Sequence, residues 1–233
     1  MFYKISNIAN KKIIEEELEI RYKFPEIYKQ ESVINGLKES NLSVVTQENP
    51  DQISYAIWGL LPEEFDDNWS VFQDVTNTLN TDLEQVEDRN ELYTKSLAHK
   101  RCLIIATGFF TSYLFNGKVF PYYIHLPDEK PFCFAGIYNE LDDGFLTCSI
   151  LISKTVPYLK NIPHISSKLP VILEPKNYKY WLQDNLSLDA IQMMLASQDK
   201  MDFEAYPISR NFYKKKFDHH HILQPIKDFS NLN

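Results

Sequence analysis

Residues 101–137 read RCLIIATGFFTSYLFNGKVFPYYIHLPDEKPFCFAGI, a series of short apolar, β-branched and aromatic runs separated by turn signals. Within it, Cys102–Ala106 is a continuous apolar run with the length of a buried strand. Asn116–Gly117 is the strongest short hairpin signal in sequences, and Pro127–Lys130 makes a second turn. The stretch therefore predicts three or four consecutive antiparallel strands in the middle of a β-rich core, on which the other segments must pack.

The flanking segments add further strands and helices to this core. Asn10 is typical of a helix N-cap, and the apolar stripe that follows it predicts a helix reaching Tyr22. Ser187 is a second N-cap candidate in front of an apolar stripe. Other strands are predicted at Tyr3–Ser6, Ser43–Thr46, Ile53–Leu61, Leu79–Glu84, Leu146–Ile152 and Glu204–Ser209, and other helical segments at Glu87–His99, at Val156–Ile162 and after Pro175. The residues alone predict an α+β domain.

Length and composition indicate one soluble globular domain over residues 1–233, since no change in composition marks a linker. The formal net charge of −8 disfavours loose, charge-driven binding of nucleic acid but leaves room for a local basic groove. No run approaches the roughly 18 apolar residues of a membrane span. The N-terminal residues carry no apolar signal-peptide core. We therefore expect a cytoplasmic protein without membrane contact.

The residues that commonly hold metals or redox groups are few and poorly spaced. Cys102, Cys133 and Cys148 each fall inside a predicted strand, without a close pair, so buried reduced thiols are expected. The run His219–His221 suggests metal ligands at first sight, but consecutive histidines seldom point at one ion, and a solvated loop is favoured. No metal site, cofactor or small-molecule cofactor partner is predicted.

Other generic chemical signals are equally weak. The chain has six glycines, no phosphate-binding glycine loop and no G-x-S-x-G nucleophile elbow. Ser167–Lys168 could suggest a Ser–Lys dyad, but adjacent side chains usually point apart. The basic run Lys214–Lys216 fits a solvated turn better than a phosphate contact. These signals alone indicate no more than a soluble α+β domain.

Six segments of the chain carry a further signal: WGLLP (58–62), RCLIIATGFF (101–110), PYYIHL (121–126), PFCFAGI (131–137), KLPVIL (168–173) and YPIS (206–209). In this order they resemble one family, the SOS response-associated peptidase (SRAP) family of abasic-site processing proteins. Each segment alone is modest, but six in the family's order make the match specific, and the opening MFYKIS resembles the family's M-C-Y-N-V-S. The resemblance implies a mainly antiparallel, strongly twisted, barrel-like β core with flanking helices.

The resemblance also implies a chemistry. Such proteins lose the initiator Met and expose an N-terminal Cys, whose amine and thiol capture the ring-opened aldehyde of an abasic site in single-stranded DNA as a thiazolidine. An Asn, a Glu and a His line the site: the Asn forms hydrogen bonds, while the carboxylate and the imidazole move protons. Arginines in the groove hold phosphates.

In this sequence Phe2 occupies the position of the family's nucleophilic Cys, so no thiol is present there. Phe is also too large for ordinary removal of the initiator Met, so Met1 is expected to stay. The family's N-A-R-x-E becomes Asn80–Glu84, which keeps Asn80 but replaces the arginine with Asp82. Since like charges about 4 Å apart repel by roughly 4 kcal/mol at an effective dielectric of about 20, Asp82 is expected to oppose a phosphate.

The remaining site positions also depart from the family. Thr111 occupies the place of the proton-transferring Glu. The family His aligns near His164, with Pro163 and Ser166 as alternatives. Lys168 keeps the charge of a family Arg but loses its bidentate fork. The scaffold residues match and the chemical ones mostly do not, which predicts a degenerate member without thiazolidine chemistry; any peptidase activity would lack its nucleophile.

Two functions remain open at the level of sequence. In the first, the protein binds single-stranded or abasic DNA through Asn80, Trp58, Lys168 and Lys4, in an open groove that also includes Lys214. In the second, it is a non-catalytic protein-interaction module without DNA binding, and the groove beside Phe2 is neutral or acidic and filled by Phe2 itself. Single residues also have alternative interpretations. Asn80 and His164 could have plain structural roles, and Trp58 could pack in the core rather than stack on a base.

Overall fold

The computed structural model describes residues 2–86, 91–154, 164–184, 186–197, 201–214 and 221–226. These residues form fourteen strands and five α-helices. The strands are β1 (Lys4–Asn7), β2 (Arg21–Tyr22), β3 (Glu31–Asn35), β4 (Asn41–Thr46), β5 (Gln52–Trp58), β6 (Asn80–Asp82), β7 (Arg101–Ala106), β8 (Gly108–Phe115), β9 (Lys118–His125), β10 (Phe132–Glu140), β11 (Leu146–Ser153), β12 (Leu169–Pro170), β13 (Ile172–Leu173) and β14 (Glu204–Pro207). The helices are α1 (Lys11–Leu18), α2 (Trp69–Val75), α3 (Glu91–His99), α4 (Tyr178–Trp181) and α5 (Leu188–Ala196).

Five of the strands close into a barrel. β4 pairs with β5 and β7, β10 pairs with β7 and β11, and β11 returns to pair with β5. Four of these pairings are antiparallel, and the pairing of β5 with β11 is parallel. Four short strands pair with members of this ring: β2 with β5, β6 and β12 with β11, and β13 with β10. The expected α+β fold with a mainly antiparallel, barrel-like core and flanking helices is therefore confirmed.

A second sheet, ordered β14-β9-β8-β1-β3, is antiparallel throughout. The chain leaves the barrel at Thr107, whose backbone N–H donates to the Ser6 carbonyl oxygen at 2.9 Å. β8 and β9 then form the hairpin predicted at Asn116–Gly117, where both φ angles are positive. Because β10 pairs with β7 rather than β9, the four strands of residues 101–137 are antiparallel as predicted but divided between two sheets.

The apolar run of β7 contributes to two core layers. Cys102, Ile104 and Ala106 join a core that also contains residues of β1, β8 and β9, so this layer joins the barrel interior to the second sheet. Leu103 and Ile105 join another layer, which includes residues of α1, α3, α4 and α5. Side chains alternate between the faces of a strand, so a strand covered on both sides needs a continuous apolar run.

The helix caps read from the sequence are present. The Asn10 side chain accepts a backbone N–H from the first turn of α1, and the Ser187 hydroxyl does the same in α5. α1 is shorter than predicted, because Glu19 takes a left-handed conformation with φ 56° and stops the helix at Leu18. Tyr22, expected in that helix, lies in β2 beside β5.

Several other predictions have a clear outcome. Cys102, Cys133 and Cys148 are free and buried, as expected for reduced thiols. β5 ends at Trp58 rather than Leu61, since Gly59 follows with φ 125°. No helix among the described residues is long and apolar enough to cross a membrane. The predicted helical turn at Val156–Ile162 lies outside the described residues.

Candidate functional site

A pocket of about 360 Å³ lies beside the N-terminal residues. β1 forms part of its wall, and its place is fixed by antiparallel pairing with β8 on one side and β3 on the other. The described lining residues are Phe2, Tyr3, Lys4, Phe110, Thr111, Ser112, Val119, Ile165, Ser166, Lys168, Leu169, Phe212 and Tyr213. The pocket therefore joins five separate stretches of the chain, and both ionic side chains in this set are lysines.

Phe2 sits at the inner edge of the pocket, and its ring is directed into the protein. Its exposed fraction is 8%. The ring centroid lies 5.8 Å from those of Phe109 and Phe134, both in edge-to-face orientation, and 6.4 Å from that of Trp58. Such aromatic contacts stabilise a pair by about 0.5–1.5 kcal/mol beyond the area that they bury. The position of the family nucleophile is thus an aromatic anchor of the core, and the pocket beside it stays open.

Asn80 holds the backbone of the same residue. β6 places Asn80 opposite Ile150 of β11, and the side chain is 8% exposed. Its Nδ2 donates a 2.6 Å hydrogen bond to the Phe2 carbonyl oxygen. Its Oδ1 is buried and has no hydrogen-bond partner among the described residues. A buried amide oxygen without a partner is costly, so this atom is an unused acceptor next to the N-terminal segment.

Lys168 and Asp82 form an ion pair at the side of the pocket. The Asp82 side chain is 4% exposed and that of Lys168 is 18% exposed. Asp82 also accepts the backbone N–H of Glu84 at 3.3 Å, which orients its carboxylate. The sequence predicted Asp82 as a negative charge that opposes phosphate and Lys168 as a cation that holds it. In the structure the two charges compensate each other, so neither acts as an isolated charge.

Lys4 is the second lysine of the pocket. Its Nζ donates to the Phe212 carbonyl oxygen at 3.2 Å and lies 4.0 Å from the centroid of the Phe212 ring. Burial lowers the pKa of the Lys4 ammonium below its usual value, because the charged form loses part of its hydration. β1 of the five-stranded sheet supplies Lys4, and the segment after β14 supplies Phe212. The amine therefore lines the pocket and lies over an aromatic ring.

Thr111 lines the pocket at the position of the family Glu and is 9% exposed. A hydroxyl in this place can form hydrogen bonds but does not exchange a proton near neutral pH as a carboxylate does. The neighbouring Ser112 carbonyl oxygen accepts the backbone N–H of Ile165 at 2.7 Å, which holds the loop after residue 163 against β8.

This loop carries the candidates for the family His. The His164 ring contacts the Ser166 carbonyl oxygen through Nδ1 at 2.8 Å, and His164 does not belong to the described pocket lining. Ser166 does line the pocket, and its hydroxyl donates to the Lys168 carbonyl oxygen at 2.6 Å. Pro163 lies outside the described residues. The contact of the His164 ring with the Ser166 carbonyl oxygen is consistent with a structural role for this side chain.

Trp58 requires a correction as a candidate DNA contact. Its exposed fraction is 0%, and its indole N–H donates to the Leu79 carbonyl oxygen at 2.9 Å inside the core. Since neither face of the ring is open, no nucleobase can stack on it, and the core interpretation fits its position. Lys214, expected in an open groove, follows a short 3₁₀ turn and does not belong to the described lining.

The sequence reasoning missed two residues of the pocket, Phe212 and Tyr213. Phe212 forms the face under Lys4, and the Tyr213 hydroxyl donates to the Ser112 hydroxyl at 2.9 Å. Burial raises the pKa of Tyr213, so this hydroxyl keeps its proton near neutral pH. Both follow the YPIS segment by a few residues, and only their aromatic character next to a strand could have drawn attention to them.

Comparison with known proteins connects this geometry to one family. The family described as SOS response associated peptidase (SRAP) matches residues 2–214. "Abasic site processing protein YobE" of Bacillus subtilis is 30% identical over 174 residues, which cover 72% of this chain and 76% of that protein. "Abasic site processing protein YoaM" of the same organism is 27% identical over 201 residues, or 83% and 85% of the two chains.

Solved structures show the same fold. A protein from Bacteroides thetaiotaomicron superposes with a TM-score of 0.80 at 23% identity, covering 96% of this chain and 99% of that one. A protein from Bordetella bronchiseptica gives a TM-score of 0.69 at 14% identity, covering 89% and 99%. At such identities the likeness concerns the fold.

Proposed function

Because this chain belongs to the SOS response associated peptidase (SRAP) family, we propose that it binds single-stranded DNA at abasic sites without forming a thiazolidine cross-link. Its relatives YobE and YoaM are named abasic site processing proteins, which supports a role at abasic sites. The open pocket beside Phe2 carries the proposal, because its ionic lining residues are two lysines, Lys4 and Lys168.

The absence of a stable thiazolidine from the proposed function rests on residue types in the pocket. A thiazolidine needs an amine and a thiol on adjacent atoms, and Phe2 supplies no thiol. Thr111 stands where a carboxylate would move protons. The described pocket keeps space for a sugar or a phosphate, while the groups that would form the stable adduct are replaced. Binding at the damaged nucleotide is the part of the family chemistry that this arrangement supports.

The second candidate function, a protein-interaction module without DNA binding, is favoured by one observation. The Lys168–Asp82 pair reduces the positive potential of the pocket, and the whole chain has a net charge of −8. Lys4 is the other cation that lines the described pocket. The two functions differ in one measurable quantity, the affinity for single-stranded DNA at low salt.

A binding assay tests the proposal. Fluorescence anisotropy would compare labelled single strands with and without one abasic site, for the wild type and for Lys4→Gln. The matched control is Lys38→Gln, since Lys38 is exposed and does not belong to the described pocket lining. We expect preference for the abasic strand, weaker binding by Lys4→Gln and no change in the control. Absence of binding at low salt would favour the interaction module.

A denaturing gel examines the second half of the proposal. The protein is incubated with the abasic strand without reductant, heated and separated. We expect no cross-linked species that survives denaturation, because an imine hydrolyses and a thiazolidine cannot form. A cross-link that survives denaturation without reductant would contradict the proposed absence of a thiazolidine.

A further inference from the structure

Two primary amines line the pocket, and their surroundings differ. Lys168 is ion-paired with the buried Asp82 carboxylate, which favours its protonated, non-nucleophilic form. The Lys4 amine instead lies against an aromatic ring and a backbone carbonyl oxygen of Phe212. Resting on the proposed function, we propose that Lys4 Nζ is a nucleophile of this site and forms an imine with the open-chain aldehyde of the abasic sugar.

The orientation of β1 places Lys4 toward the pocket. Ile5 is fully buried in the core between the sheet and the barrel. Successive side chains of a strand point to opposite faces, so Lys4 projects to the other face. Phe110 and Phe212 pack there, and both line the same pocket. Lys4 thus reaches the cavity from a rigid strand held on both sides by hydrogen bonds.

The contacts of Lys4 with the Phe212 ring and carbonyl oxygen favour the ammonium, and partial burial favours the neutral, reactive amine. Only a neutral amine attacks a carbonyl carbon, and an ordinary lysine is almost wholly protonated near neutral pH. Partial burial of Lys4 lowers the pKa of its ammonium and so increases the neutral fraction. A lysine that is partly desolvated beside apolar groups is one of the recognised ways in which proteins activate amines for imine formation.

The reaction balances without any added reagent. The Nζ lone pair forms a bond to C1 of the aldehyde, and a proton moves from nitrogen to the new hydroxyl. The carbon–oxygen bond then breaks, and the oxygen leaves as water with the second proton of the amine. The product is a carbon–nitrogen double bond between Lys4 and the sugar, which water reverses and which a hydride donor converts to a stable secondary amine.

The test uses cyanoborohydride to trap this imine on a single strand with one abasic site. Lys4→Arg keeps the positive charge and removes the nucleophile, and Lys38→Arg is the matched control at an exposed lysine. We expect about a tenfold or larger loss in Lys4→Arg of trapped product per DNA complex formed, and no such loss in Lys38→Arg. Equal trapping by Lys4→Arg would overturn the inference.

Peptide mapping locates the trapped adduct. Trypsin cleaves after an unmodified Lys4 and releases residues 1–4, whereas a modified Lys4 resists cleavage and yields residues 1–11. We expect the adduct on the longer peptide. An adduct on residues 1–4 would place the reaction at the N-terminal amine and would contradict the role of Lys4.

A DNA-free probe separates failure of this inference from failure of the proposed function. With 2-deoxyribose 5-phosphate and cyanoborohydride, Lys4 should be modified in preference to Lys168. Modification of Lys4 without DNA binding would support the nucleophile and remove the proposed DNA function. DNA binding without modification of Lys4 by either probe would keep the function and remove the nucleophile.

Discussion

Asn80 and Phe2 are joined by a hydrogen bond of 2.6 Å, in which the buried side-chain amide donates to the backbone carbonyl oxygen next to the N-terminus. The bond connects β6, which pairs with β11 of the barrel, to Phe2, two residues before β1 of the second sheet begins at Lys4. It ties the N-terminal segment to the barrel at the inner edge of the pocket. Four predictions follow from this site and from the core behind it.

The first concerns Asn80. Asn80→Ala removes the bond to Phe2 but also the unpartnered Oδ1, so we expect a loss of about 1 kcal/mol in the free energy of unfolding. Asn80→Asp brings a second acceptor toward the Phe2 carbonyl oxygen without a donor, and a loss of about 2–3 kcal/mol is expected. Urea unfolding measures both. Asn41→Ala, at an exposed residue of β4, should stay near the wild type. Equal stability of Asn80→Asp and wild type would contradict the inferred bond.

The second concerns the pair of Asp82 and Lys168. Asp82→Asn removes a nearly buried negative charge and frees the Lys168 ammonium toward the pocket. We expect tighter binding of single-stranded DNA, and a slope of log affinity against log salt that steepens by about 0.7, the value for one added phosphate contact. The cost in stability should be about 1–3 kcal/mol, since a charge-assisted bond is lost.

Anisotropy titrations at several salt concentrations provide this slope for the Asp82 variant. Lys168→Arg serves as the control, because it keeps a cation beside Asp82 and should leave the slope unchanged. An unchanged slope in Asp82→Asn would mean that Lys168 does not reach a phosphate when it is released.

The third prediction restores the missing groups. Phe2→Cys puts a small residue after Met1 and supplies a thiol, and Thr111→Glu supplies a carboxylate in the pocket. We expect the double variant to form a cross-link to abasic single strands that survives denaturation without reductant. Because Phe2 packs against three aromatic rings, the change should destabilise the fold by about 3 kcal/mol.

Intact mass first shows whether Met1 has been removed from this variant. The control is Phe2→Ala with Thr111→Glu, which makes the same cavity without a thiol and should give no stable cross-link. Failure of the processed double variant to cross-link, although folded and able to bind DNA, would contradict the view that these two positions account for the lost chemistry.

The fourth prediction concerns the thiols. Burial raises the pKa of Cys133 to about 12, and it also raises the pKa values of the Cys102 and Cys148 thiols. At pH 8, below these values, the thiols stay protonated and shielded, so the native protein should react very slowly with Ellman's reagent. Unfolding in guanidinium should release all three at once. Fast reaction of any thiol in the native protein would show that a strand of the core opens readily.

Local patterns in short segments of the sequence predict much of the fold. The Asn116–Gly117 turn needs positive φ angles, and the Asn10 and Ser187 caps act within one helical turn, so neighbouring residues decide them. The buried character of Cys133 follows from the apolar run around it. The predicted helix α1 is longer than the observed one. It stops because Glu19 takes a left-handed conformation, and no glycine marks this position in the sequence.

The sequence by itself determined most of the strands, the helix caps, the buried thiols and the replacement of the family's Cys and Glu by Phe2 and Thr111. Tertiary structure alone decided the division of the central strands between two sheets, the pairing of Asp82 with Lys168 and the contact of Lys4 with Phe212. Those contacts join residues 86 and 208 positions apart. Local patterns reflect backbone preferences and burial, whereas the charge of a site depends on which distant side chains the fold brings within a few ångströms.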